Sequence, residues 1–141
     1  MPTVVTNEFK FQEGGGNVEI SATGEWICSL MNSHVTSGEE ALKDYTNWYT
    51  EVSAYEASGT GYTSGTALTN VGWYSNDATN KQILSADSVT FTPNVTIDSY
   101  GVCIWRLSDG LVMGFVDFGL YSSSNGNFTI NWNPDGILAK I

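Results

Sequence analysis

The sequence predicts an all-β protein: one antiparallel β-sandwich or jelly-roll-like domain with at most one short helix. Three observations lead there. Apolar residues recur with a period of two in several short runs. Turn-forming Gly, Asn, Asp and Ser punctuate those runs. Only 14% of the 141 residues are charged, while 41% are hydrophobic and 13% aromatic. A chain so low in charge carries much of its surface on Ser, Thr, Asn and Gly, which suits sheets and turns better than helices. It is too apolar for disorder, and a domain of this length folds without disulfides or metals.

The strands are taken in chain order. Val18 and Ile20 suggest a short first strand. Glu25–Met31 is a stronger one, with Trp26, Cys28 and Leu30 on one face and Ile27 and Met31 on the other. Ala67, Leu68, Val71 and Trp73 belong to another, closed by a turn at Ser75-Asn76-Asp77. Ser88–Thr92 alternates cleanly, and Pro93 is expected to end it because proline cannot donate to a ladder. Tyr100–Leu107 and Leu111–Phe118 are apolar on both faces, so both should be covered on two sides. Ser108-Asp109-Gly110 joins them as a hairpin, the expected centre of the fold. Phe128, Ile130 and Trp132 alternate with Thr129 and Asn131 after an Asn125-Gly126 turn signal.

One segment has helical character. Ser37 is a capping serine with Glu40 three residues on, in a run reaching Tyr45. An irregular loop fits it as well. The glycines of Glu13-Gly14-Gly15-Gly16-Asn17 divide the chain into residues 1–16 and 17–141. The first part reads as an arm lying off the body, carrying Phe9 and Phe11, or as a first hairpin.

Charge bounds the partners. Fifteen acidic residues against five basic ones give a formal charge of −10. The basic residues are scattered, so neither a nucleic acid nor an anionic membrane surface is an expected partner. The acidity serves solubility or faces a basic partner. No apolar run approaches a membrane span, and the N-terminus lacks the pattern of a signal peptide, which suggests an unprocessed cytosolic product.

No catalytic constellation emerges, and the expectation is a protein that is not an enzyme. His34 is the single histidine and sits in a polar run that reads as a surface loop. Two cysteines 75 positions apart and one histidine make zinc improbable, and no metal or cofactor is expected. Cys28 and Cys103 read as buried free thiols, a bridge between central strands being the alternative. Asp117 is out of place in an apolar strand, and either bonds backbone amides or meets Arg106. Ser58–Gly65 is glycine-rich but matches no phosphate loop, and reads as a flexible connection. Asn76–Asn80 offers oxygen ligands without calcium-loop spacing. Asn94-Val95-Thr96 and Asn127-Phe128-Thr129 match the glycosylation pattern, which carries weight only with a secretory signal.

Four segments in order carry a resemblance: the run from Val52 through Tyr55, Tyr62 and Leu68; Ser85-Ala86-Asp87-Ser88-Val89-Thr90-Phe91; Gly114-Phe115-Val116-Asp117-Phe118-Gly119; and the C-terminal run from Ser123 through Trp132 to Leu138. Together they resemble a family of small virion structural proteins of tailed bacteriophages, over roughly residues 25 to 141. The resemblance implies a β-rich particle component without catalysis. The expected role is capsid decoration (cement), bound to the major capsid protein and present in virions assembled in the host cytoplasm. A homo-oligomer, as a trimer, is the expected state. The chain departs from the family at Tyr121-Ser122-Ser123-Ser124, where relatives carry more charge, and in its first residues. A tail or fibre component contacting the host is the first alternative, and a carbohydrate-binding module the second.

Aromatic residues make good interface anchors. Phe9 and Phe11 in the arm, with Tyr45, Trp48, Tyr49, Tyr55 and Tyr62 in the loop region, are the candidate interface, core packing being their other possible role. Trp26, Trp105 and Trp132 lie in strands and read as core.

Overall fold

The structure is a computed structural model and describes residues 3–20, 24–76, 81–132 and 139–140. It is an all-β fold of two antiparallel sheets with short helical segments. Strands β1 (Thr3–Val5), β2 (Trp26–Met31), β3 (Thr66–Ala67), β6 (Val89–Arg106) and β7 (Val112–Ile130) form one sheet in the order β1-β7-β6-β2-β3. Strands β4 (Gly72–Asn76), β5 (Lys81–Ser85) and β8 (Ala139–Lys140) form the second, in the order β4-β5-β8. Helix α1 spans Asn7–Gly14 and α2 spans Glu39–Leu42. Single 3₁₀ turns at Ser33–Ser37 and Ser53–Tyr55 and a π turn at Trp48–Val52 complete the helical part.

The hairpin of β6 and β7 is the axis of the molecule, as its two-faced apolar pattern demands. Its turn falls at Leu107–Leu111, where Arg106 grips Asp109 through two hydrogen bonds of 2.9 and 2.7 Å. The larger sheet is buried on both faces. Trp26, Cys28 and Leu30 of β2, with Val102 and Ile104 of β6, enter one core together with Leu84 of the smaller sheet and Phe9 of α1. Ile27 and Met31, with Cys103 and Trp105, enter the other, closed by Val35, Leu42, Trp48 and Val52 of the helical segments. The face assignment read from the alternation in β2 therefore holds residue by residue.

Four register shifts bend the hairpin. Met113 is the extra residue where Trp105 faces Val112 and Ile104 faces Gly114. Val112 and Phe115, three apart, consequently share a face. Pro93 does not end β6: the strand runs through it, with an irregularity between Phe91 and Val95 and Asn94 at φ 56°. Asn125-Gly126 likewise makes a bulge inside β7 and not a turn. Asn125 has φ 50°, and its N–H donates to Thr96 Oγ1. Asparagine tolerates the left-handed region, and a bulge exploits that tolerance as readily as a hairpin does.

The N-terminal segment is neither a detached arm nor a hairpin. Thr3, Val4 and Val5 pair with Val116, Phe115 and Gly114 at the sheet edge. Thr6 then caps α1: its hydroxyl accepts from the Phe9 N–H and donates to the Val112 carbonyl. This places Phe9 edge-on against Trp26 with ring centroids 5.9 Å apart. The chain has more helical turns than the single one expected. That segment, Ser37–Tyr45, contains only the one-turn α2. Val18 and Ile20 lie outside strands, half-buried against the core. Ser58–Gly65 docks on the sheet: Gly59 lies against Thr96, too close for a side chain, and the Thr96 N–H donates to the Thr60 carbonyl at 2.8 Å. Most of the oxygen-rich run 76–80, and residues 133–138 of the C-terminal run, lie outside the described residues.

Candidate interaction surface

The structure sorts the seven predicted aromatics into three groups. Phe9, Trp48 and Tyr62 are buried, Tyr45 and Tyr55 are half-buried, and Phe11 and Tyr49 are 73% and 52% exposed. The buried three are structural. Tyr62 meets Phe91 edge-on, accepts the Leu30 N–H at 3.0 Å and donates to the Glu56 carboxylate at 2.5 Å. Burial drives the Tyr62 hydroxyl well above its usual range and raises the Glu56 carboxyl too.

Tyr45, Tyr55 and His34 form a cluster at the edge of the helical layer. His34 stacks on Tyr55 with ring centroids 3.8 Å apart, and its Nε2 lies 2.8 Å from the Tyr45 hydroxyl. His34 is thus half-buried between two rings and not on a free surface loop. Tyr49 covers the edge of Trp105 and donates through its hydroxyl to the Leu107 carbonyl at 2.6 Å. With Leu107, also exposed, it makes a small apolar spot beside the β6–β7 turn.

A second exposed apolar surface lies further along β7, outside the predicted interface residues. Leu120 and Tyr121 are 58% and 56% exposed. Tyr121 stands edge-on to Phe128 at 5.2 Å, and Phe118 packs on the same ring at 6.3 Å. Phe118, Tyr121, Phe128 and Ile130 line a shallow cleft of about 260 Å³. Two adjacent residues, Leu120 and Tyr121, are both exposed because β7 carries two extra residues there: Ser99 faces Tyr121 while Gly101 faces Asp117. Gly119, at φ 74°, was the available signal, since a glycine inside a strand pattern marks a bulge.

Asp117 accepts the Gly119 N–H at 3.0 Å, one of the two roles expected of it, while Arg106 pairs instead with Asp109 and donates to the Asn17 carbonyl. The Arg106 contact holds Asp109 below the usual carboxylate range. Cys28 and Cys103 are free thiols on opposite faces of the larger sheet, and burial raises both far above the usual thiol range. A thiol so raised is not a nucleophile at neutral pH. Among the described residues no group of three His, Cys, Asp or Glu is placed to hold a metal ion, and no helix is long and apolar enough to cross a membrane.

Comparison of the chain with protein-family models, with curated proteins and with solved structures finds no match in any of the three.

Proposed function

We propose that the chain is a non-enzymatic structural protein of a tailed-bacteriophage particle, a decoration protein that binds the lattice of the major capsid protein. The observation that carries the reading is the exposed pair Leu120 and Tyr121, with Tyr121 packed beside Phe118 on the Phe128 ring, on a strand that is anchored in the core. Contiguous exposed apolar residues on a rigid support suit a protein–protein contact, with aromatic anchors that need little ordering on binding. The ordered resemblance over residues 25 to 141 supplies the identity of the partner. A homo-oligomer, expected as a trimer, fits the same role.

The test is re-binding. Particles lacking the chain are mixed with purified protein and sedimented. Wild-type protein should co-sediment to saturation, and L120S/Y121S should remain in the supernatant while still unfolding in a cooperative thermal transition. Equal binding by the variant would remove this surface from the proposal, and no binding by either protein would reject the decoration role.

A further inference from the structure

A second cleft, of about 190 Å³, lies where β1, β7 and the Ser33–Leu42 segment meet. Val4, Val35, Leu42 and Phe115 line it, all buried. Glu39 and Asp117 also line it, from α2 and β7. Among the described residues the ion pairs are Lys43–Glu40 and Arg106–Asp109; Lys43 also acts on Glu39 electrostatically, while Asp117 forms no ion pair with a described residue. Asp117 uses one oxygen, Oδ1, for the Gly119 N–H. Its place on the strand explains the geometry: Asp117 follows Phe115 by two residues, on the face that the helical layer covers.

We infer that this cleft takes a lysine or arginine side chain presented by a partner protein. An apolar floor with a carboxylate rim is the complement of a long basic side chain, whose methylenes lie on apolar surface while its head stays polar. Charge complementarity selects that occupant. An acidic group would be repelled by both carboxylates. An apolar plug would strip water from them and return no hydrogen bond. A cationic head restores charge-assisted hydrogen bonds to the oxygens that it desolvates. The formal charge of −10 acts in the same direction at longer range, steering the molecule towards a basic surface. The inference goes beyond the particle assignment and does not depend on it, since it specifies the chemistry of the partner's contact whatever the partner is.

The test uses the intact chain and three probes followed by two-dimensional NMR. Nα-acetyl-lysine methylamide and Nα-acetyl-arginine methylamide carry the charge, and Nα-acetyl-norleucine methylamide is the uncharged control. At least one charged probe should shift the resonances of Val4, Val35 and Phe115 saturably, and the control should not. D117N and E39Q should each weaken that binding by roughly tenfold, the loss expected for one hydrogen bond to a charged group. The Asn side chain can still accept the Gly119 N–H, so D117N keeps the bulge at Gly119 intact, and an unchanged melting temperature verifies this. Equal shifts from the norleucine probe, no shift from either charged probe, or unchanged affinity in both variants would overturn the inference.

Discussion

Trp48 lies flat on Trp105, with ring centroids 4.8 Å apart and planes within 4° of parallel. One ring comes from the π turn and the other from the central strand β6, so the pair fastens the helical layer to the sheet. The Trp105 indole N–H also donates to Ser29 Oγ at 3.0 Å, which fixes its ring relative to β2. Trp48→Ala should cost about 3–5 kcal/mol, the range for deleting a buried aromatic, as read from the urea-unfolding midpoint.

Phe9 and Phe11 are two residues apart and predict opposite outcomes. Phe9 is fully buried against Trp26 and Trp73, whereas Phe11 is exposed. Phe9→Ala should destabilise by about 3–5 kcal/mol, and Phe11→Ala should stay within about 0.5 kcal/mol. Deleting residues 1–16 removes both β1 and Phe9, so it should unfold or strongly destabilise the body. The same urea titration checks all three.

Stability should respond to pH through two carboxyls of opposite sign. Burial raises Glu56 above its ordinary value of 4.5. Its folded form therefore binds the proton more tightly than its unfolded form. That contribution is present below pH 4.5 and is lost as pH rises through the raised folded value. Asp109, held down by Arg106 from an ordinary value of 3.8, contributes above that value and loses its contribution as pH falls through the depressed one. In urea titrations, E56Q should flatten the loss of stability as pH rises above 4.5, and D109N should flatten the loss on acidification.

Cys28 and Cys103 should be silent to a thiol reagent in the native protein and react together on unfolding. Both are buried with raised pKa values, and they face different cores, so no bridge joins them. Ellman titration with and without denaturant checks this. Fast native-state modification of either thiol would contradict the packing described.

The sheet was legible in the sequence where one rule acted alone. Trp26, Cys28 and Leu30 alternate against Ile27 and Met31, and each residue entered the core that this pattern assigned to it. The Ser108-Asp109-Gly110 turn and the two-faced strands around it placed the centre correctly. Legibility failed where two rules compete. Asn125-Gly126 and Pro93 signal turns and strand ends, but a long hairpin absorbs both as bulges. Phe9 and Phe11 have strand-like spacing, and only the Thr6 cap and the Glu8–Gln12 side-chain bond mark α1. The candidate surface was half legible. Tyr49 and Phe11 are exposed as a docking residue must be, while Trp48, Tyr62 and Phe9 turned inward. Leu120 and Tyr121 fall outside the predicted interface because their exposure comes from the bulge at Gly119, which alternation alone does not reveal.

The most direct test of the central claim is the abundance of this chain in purified particles, measured by quantitative mass spectrometry against the major capsid protein. The decoration role predicts a copy number comparable to that of the capsid protein. A few copies per particle would move the chain to the tail or fibre, and absence from particles would contradict the virion assignment altogether.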